Sequence, residues 1–226
     1  MPSSHDPSTA VERARAGETL ASWNRRTHYF LGLYLLFFVW LFALTGLLLN
    51  HSQWEFAQFW PQRKVTDSEH AITSPRGRTM LDDARDLSRQ LGLAGEIEWV
   101  TNRVDSKRLE FRVVRPGLNL EVKADLEGGR ARVQRTELNA WGFVRILHTF
   151  TGVRANDPRK NERDWIVTTA WAVAMDAVAV GLILMVASGI IIWWRSGERR
   201  PAGILVLTAG TLACSALLAG WRWISF

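Results

Sequence analysis

Apolar and charged residues are sharply segregated along this chain of 226 residues. Residues 29–49 contain no charged side chain, and neither do residues 203–221. Residues 165–194 contain a single one, Asp176. Each run can cross a hydrocarbon core of about 30 Å at about 1.5 Å rise per residue, whereas buried helices of soluble proteins keep a polar face. The pattern therefore predicts three transmembrane helices, over residues 25–51, 165–195 and 203–223.

Arginines mark one side of the predicted membrane. Arg25 and Arg26 precede the first span, and three more lie between the second and third spans: Arg195, Arg199 and Arg200. Short basic segments stay in the cytoplasm. The first span is too long for the apolar core of a cleaved signal peptide, which is about 7–15 residues. We therefore expect a cytoplasmic N-terminus, with residues 52–164 and the C-terminus on the opposite side.

The composition narrows the class further. The net charge is +6, but basic residues of the 52–164 segment are interspersed with acidic ones, so no nucleic-acid-binding surface is predicted. The single cysteine, Cys214, excludes an intramolecular disulfide, a cysteine-based zinc site and a covalently bound c-type haem. Most of the 12 tryptophans fall near predicted span ends, as in the aromatic belts of membrane proteins.

Between the first two spans the periodicity changes to that of a small α+β domain, residues 52–137. Apolar residues recur at helical spacing over residues 75–91. Four segments then predict an antiparallel sheet with turns at Pro116-Gly117 and Gly128-Gly129: residues 96–102, 108–115, 118–126 and 130–136. The predicted fold class is an integral membrane α-helical protein with a small α+β extracytoplasmic domain inserted between spans one and two.

Three shorter segments complete the chain. Residues 1–24, rich in Ser, Pro, Ala and charge, are expected to form a disordered cytoplasmic tail. Residues 138–152 are too short to span and predict a helix at the outer membrane surface or one packed against the helix bundle. Residues 153–164 are expected to form a charged, solvated loop.

Histidines are the main candidates for binding a metal or a cofactor in this sequence. His5 and His70 fall in polar segments and are expected to be solvated, whereas His28, His51 and His148 lie at membrane boundaries. His28 and His51 are about 34 Å apart along a helix, so they cannot bind one group together. His51 and His148 share the outer side, where two neutral imidazoles in apolar surroundings would hold the iron of a b-type haem. The alternative is that they are ordinary interfacial histidines, because the imidazole ring is amphipathic.

Asp176 is the other candidate, because an ionisable group inside a span is costly. It would either orient a liganding histidine through the second ring nitrogen, or hydrogen-bond Thr45 or Asn50 and so hold two helices together. We favour the second role.

The order of these elements resembles a known family. The stretch that begins at Arg25-Arg26-Thr27-His28 and ends in Thr45-Gly46-Leu47-Leu48-Leu49-Asn50-His51 is similar to the first transmembrane helix of the PepSY-associated membrane family. Residues 75–137 resemble a PepSY domain. Leu147-His148 is similar to the histidine helix of the family, and residues 188–195 (SGIIIWWR) resemble its span-ending signature.

The resemblance implies a bacterial inner-membrane protein with a periplasmic domain. Larger relatives bind b-type haems and pass electrons across the membrane to reduce ferric siderophores or other periplasmic acceptors. The electron donor would be a quinol or another redox subunit. Family histidines match His28, His51 and His148. Because spans two and three contain no histidine, the chain has enough for one haem, and a homodimer or a partner subunit would have to complete a second.

A haem-free role is the alternative function. The chain would then be an accessory or scaffold subunit whose PepSY-like domain docks a partner protein at the periplasmic face. The sequence leaves open whether the chain is an enzyme.

Overall fold

Three helices in the structure are long and apolar enough to cross a membrane: Gly17–Asn50, Ile166–Ser196 and Arg200–Gly220. The structure is a computed structural model that describes residues 7–103, 108–152, 162–197 and 200–223. The three predicted spans are confirmed by length and composition. The chain is therefore a multi-pass membrane protein.

The described residues form five α-helices, one 3-10 helix (Glu55–Ala57) and five strands. The helices are α1 (Pro7–Asn50), α2 (Met80–Gln90), α3 (Ala140–Thr149), α4 (Ile166–Ser196) and α5 (Arg200–Trp223). The strands are β1 (Lys64–Ala71), β2 (Glu96–Arg103), β3 (Arg108–Arg115), β4 (Leu118–Asp125) and β5 (Arg130–Glu137). The chain divides into two compact units, Met1–Leu36 with Val178–Phe226, and Phe37–Ala177.

The strands form one antiparallel sheet in the order β1-β5-β4-β3-β2. Both predicted turns are confirmed, with Gly117 at φ +77° and Gly129 at φ +63°, a conformation that favours glycine. Helix α2 packs on β2 and β3. Its buried Ala84 and Leu87 join the inward side chains of the sheet, such as Phe111, in a single apolar core. The small α+β domain between spans one and two is thus confirmed.

The sequence prediction of this domain differs from the structure in two places. Strand β1 was not predicted, because all eight of its residues are exposed and it lacks the alternation of a half-buried strand. His70 therefore lies on an edge strand and not in a polar loop. Helix α2 begins at Met80 and not at residue 75, because the Thr79 hydroxyl accepts a hydrogen bond from the backbone N–H of Asp82 at 3.1 Å and caps the helix there.

The expected disordered tail is also corrected. Helix α1 begins at Pro7 and continues without a break to Asn50. Proline suits the first position of a helix, and the Ala, Glu, Arg and Leu residues that follow are strong helix formers. Among the other segments, α3 confirms a short helix within residues 138–152. His5 and residues 153–161 of the predicted charged loop lie outside the described residues.

A buried carboxylate joins the sheet to the beginning of α4. The Glu96 side chain, 2 % exposed, accepts hydrogen bonds from the backbone N–H groups of Asp164 at 2.7 Å and Trp165 at 3.0 Å. In return, the Asp164 carboxylate accepts from the backbone N–H of Ile97 at 3.2 Å and from Arg85 Nε at 2.7 Å. This reciprocal clamp fixes where the second span leaves the domain.

Gly152 allows the chain to pass close to this clamp. A Cβ atom there would lie 2.2 Å from Thr168 Cγ2 and 3.1 Å from Glu96 Cγ, and Gly152 has φ +64°. Any side chain at this position would therefore clash with α4 and would strain the backbone.

We expect the Glu96→Ala variant to loosen the start of α4. Two charge-assisted hydrogen bonds are lost, each worth about 1.5–3 kcal/mol, so exchange of the Asp164 and Trp165 amides should accelerate by at least about tenfold. Hydrogen-exchange mass spectrometry measures this. Glu98→Ala, an exposed position on the same strand, is the control and should leave those amides protected. Equal protection in wild type and Glu96→Ala would contradict the clamp.

Candidate functional site

His148 lies on α3, a helix of ten residues that begins at a side-chain cap. Asn139 provides the cap, because its side-chain oxygen accepts a hydrogen bond from the backbone N–H of Gly142 at 3.0 Å. The half-buried His148 is in the last turn of this helix. Its ring contacts the C-terminal part of α1, within the same compact unit.

The contact is a hydrogen bond between His148 Nδ1 and Thr45 Oγ1, at 2.5 Å. Thr45 is only 1 % exposed, and its hydroxyl lies 2.8 Å from the backbone oxygen of Leu41. A hydroxyl has one proton, and in this helix it is donated to the carbonyl. The Thr45 oxygen must then accept from an Nδ1–H group. We infer that His148 is the Nδ1-protonated tautomer, which leaves the lone pair of Nε2 available to a ligand.

Two neighbours on α1 shape the space around the ring. A Cβ atom on Gly46 would lie 3.8 Å from His148 Cε1, so the missing side chain lets the imidazole lie against the helix. The Phe42 ring meets the imidazole edge-on, with centroids 5.1 Å apart and an interplanar angle of 76°. The hydroxyl, the glycine and the aromatic ring together fix the position of His148.

A second imidazole is held in the same way in the other compact unit. His28 Nδ1 lies 2.8 Å from Ser188 Oγ, and this hydroxyl donates to the backbone oxygen of Met185 at 2.9 Å. A Cβ atom on Gly189 would lie 3.4 Å from His28 Cε1. The same proton count makes Nδ1 the protonated nitrogen and leaves Nε2 free.

The two arrangements share one local pattern. A helix presents a hydroxyl residue followed by glycine, Thr45-Gly46 on α1 or Ser188-Gly189 on α4, and another helix supplies the imidazole. Both dipeptides lie in the stretches that resemble the PepSY-associated family. The sequence drew attention to these stretches but did not pair either hydroxyl with its histidine.

His51 is placed differently. Its ring stacks on Trp54, with centroids 4.3 Å apart and an interplanar angle of 3°. The backbone N–H of His51 still bonds to Leu47 O at 3.1 Å, so the helical path continues to this residue. His51 follows Thr45 by six residues, which at about 100° per residue places it about 120° around the helix from Thr45. Among the described residues, the rings of His51 and His148 share no hydrogen bond or ring contact.

Asp176 forms neither of the expected contacts. It is exposed on α4 and makes no hydrogen bond or ion pair with any described residue. Asn50 is exposed at the end of α1, and the Thr45 hydroxyl is occupied by His148 and the helix carbonyls. In this structure Thr45 is joined to α3, and the helix-joining role of Asp176 stays a prediction.

The other histidines and the acidic side chains are the remaining candidates for ligands of a metal ion. The described part of the chain contains no group of three or more His, Cys, Asp or Glu side chains able to hold a metal ion. His70 is exposed on β1, where its Nε2 lies 3.0 Å from Ser68 Oγ. The described residues thus provide no site with three or more protein ligands for a metal ion. They do provide single imidazoles that are held in a fixed orientation.

Comparisons of the chain with protein-family models, with curated proteins and with solved structures give no match.

We expect the Thr45→Val variant to release the His148 ring. The buried Nδ1–H would lose its acceptor, at a cost of about 1–3 kcal/mol, so the ring should rotate or change tautomer. Nitrogen NMR of ¹⁵N-histidine-labelled protein distinguishes the tautomers. Thr149→Val, next to His148 but exposed, should leave the spectrum unchanged. A wild-type signal from an Nε2-protonated His148, or an unaltered signal in Thr45→Val, would contradict the assignment.

Proposed function

We propose that this chain is a short, three-span member of the PepSY-associated membrane family that binds b-type haem. It would pass electrons toward a periplasmic acceptor such as ferric iron or a ferric siderophore. The observation that carries the proposal is the orientation of His148, whose Nδ1 is held by Thr45 while Nε2 remains available.

The donor chemistry fits an axial imidazole. Histidines that bind metals commonly use the second ring nitrogen for a hydrogen bond that fixes the tautomer and the ring orientation. Thr45 provides this hydrogen bond for His148, and Ser188 provides it for His28. Haem b needs such nitrogen ligands in an apolar pocket, and Phe42 with the apolar face of α1 supplies apolar contact to His148.

The protein groups have separate tasks in this proposal. When bound, haem b supplies a one-electron iron couple. Thr45 and Ser188 would hold their imidazoles through Nδ1, which leaves Nε2 as the nitrogen that binds the iron. Gly46 and Gly189 let the rings approach the helices, so that neighbouring apolar side chains limit the access of water.

The second axial ligand is the part of the proposal that needs the closest test. His51 does not fit that position in this conformation, because its ring stacks on Trp54 and makes no contact with the ring of His148 among the described residues. It would reach a group bound by His148 only after leaving that stack. A second copy of the chain is the other source of an imidazole. Loss of the low-spin spectrum in His51→Ala would indicate that His51 is the second ligand. Retention of that spectrum would indicate an imidazole from a second copy of the chain.

The proposed location is the bacterial inner membrane. The N-terminus would be cytoplasmic, and residues 52–164 and the C-terminus periplasmic. In support, the basic end of α4 lies beside the N-terminal part of α1, where Arg195 Nη1 donates to the backbone oxygen of Gly17 at 3.2 Å. Basic residues of both helices thus share one end, as the positive-inside rule requires. The electron donor would be a quinol or another redox subunit.

A haem-free scaffold role is the second candidate, and edge strand β1 favours it. Its eight residues are exposed. One edge of β1 pairs with β5, and the other edge pairs with no strand of the described residues. A free strand edge can add a strand from a partner protein. However, Lys64, Asp67 and Glu69 place charges along β1, and charged edges are typical of strands that avoid further pairing.

An absorption spectrum of the purified protein, oxidised and then reduced with dithionite, tests the proposal. With haem supplied in stoichiometric amount, wild type should show a Soret band and sharp bands on reduction. His148→Ala should abolish or shift these bands, because it removes the oriented imidazole. His70→Ala, an exposed histidine of β1, is the matched control and should match wild type.

Two results would contradict the haem proposal. The first is wild-type protein without a Soret band, which would leave the scaffold role. The second is an unchanged spectrum in His148→Ala together with folded protein, which would move the ligand to another residue.

A further inference from the structure

A cavity of about 550 Å³ lies on the side of α3 that does not carry His148. The β3–β4 turn, α3 and the first turns of α4 form its walls, all within one compact unit. Its volume falls in the range of about 300–1,000 Å³ that is typical of ligand sites. Aromatic and aliphatic side chains dominate the lining, including Phe143, Leu147, Phe150 and Trp171.

A cation without an acidic partner lies at this cavity. The half-buried Arg115 has its guanidinium 5.9 Å from the centre of the Trp165 ring, and no described carboxylate forms an ion pair with it. Arg135, which also lines the cavity, is by contrast paired with Glu137. A guanidinium matches the oxygens of a phosphate group with two parallel hydrogen bonds. The cavity therefore favours an anionic group beside Arg115.

A second polar group in the lining is also without a partner. Thr168 is 1 % exposed, and its hydroxyl makes no hydrogen bond in the described chain. Buried hydroxyl groups are normally paired, and an unpaired one requires an explanation. A ligand with oxygen atoms would satisfy Thr168 and Arg115 together.

The position of the cavity indicates what the ligand is. Helix α4 begins at Ile166, so Trp165 directly precedes a membrane span, and Thr168 and Trp171 belong to its first turns. Tryptophan at a span end marks the level of the lipid headgroups. A ligand there meets polar groups on the side of the sheet and apolar groups along α4. This is the polarity of a phospholipid.

We propose that this cavity binds one anionic phospholipid of the bilayer. Arg115 holds the phosphate, Thr168 donates to an ester or phosphate oxygen, and the acyl chains follow Leu147 and Trp171. The unpaired charge distinguishes this ligand from a neutral quinone. The apolar walls distinguish it from a free anion such as inorganic phosphate. The proposal does not depend on haem binding.

Native mass spectrometry of the full-length protein, released from nanodiscs of equimolar phosphatidylglycerol and phosphatidylcholine, tests this site. Wild type should retain one phosphatidylglycerol per chain in preference to phosphatidylcholine. In Arg115→Gln this preference should fall by about tenfold or more, because the net negative charge that distinguishes phosphatidylglycerol from zwitterionic phosphatidylcholine loses its cationic partner. Thr168→Val should weaken retention to a smaller extent.

A matched control is available on α3. Arg145 is also half-buried, its guanidinium lies 5.4 Å from the centre of the Phe59 ring, and it has no described ion pair, but it does not line the cavity. Arg145→Gln should keep the lipid preference. Val167→Trp, which fills the cavity from an exposed position, should reduce retention of both lipids.

Four outcomes would overturn the proposal. These are unchanged lipid preference in Arg115→Gln, an equal loss in Arg145→Gln, displacement of the lipid by millimolar inorganic phosphate, and a co-purifying quinone in place of phospholipid. Hydrogen exchange of the β3 and β4 amides shows whether each variant is folded, and only folded variants are compared.

Discussion

The hydrogen bond between a helix hydroxyl and an imidazole is the interaction on which the rest of this site depends. In the tautomer that we infer for His148, the Thr45 proton is donated to the carbonyl of Leu41 and the Thr45 oxygen accepts from Nδ1–H. This fixes the tautomer and the orientation of a ring that otherwise has two equivalent ways to bind. The repetition of the pattern at Ser188 and His28 indicates that it is a feature of how these helices hold imidazoles.

The small α+β domain between the first two spans gives this interaction its fixed surroundings. Helix α3 follows directly on the sheet, and the Glu96 carboxylate holds the backbone that leads into α4. The two faces of α3 thereby separate two environments. His148 meets α1, whereas Phe143 and Leu147 line the cavity beside Arg115. One short helix can thus serve an imidazole site and a lipid site without shared residues.

Periodicity predicted the spans and four of the five strands, because burial leaves a repeat in the sequence. Periodicity did not predict β1, because both faces of this strand are exposed and leave no repeat of apolar residues. We expected Thr45 or Asn50 to be the hydrogen-bond partner of Asp176, because these polar residues lie within or at the end of spans. In the structure the Thr45 hydroxyl contacts His148, which is more than a hundred residues away. Contacts between distant elements depend on packing that one sequence does not encode locally. The Thr-Gly and Ser-Gly dipeptides were the available signal, since each combines a hydroxyl with a close-approach position.

Pulsed electron paramagnetic resonance of the ferric, haem-loaded protein labelled with ¹⁵N-histidine tests the central claim most directly. Wild type should show a hyperfine coupling between the iron and an axial imidazole nitrogen. This coupling should be lost in His148→Ala and kept in His70→Ala. An axial ¹⁵N coupling that persists unchanged in folded His148→Ala protein, or a ferric centre without any histidine coupling, would contradict it.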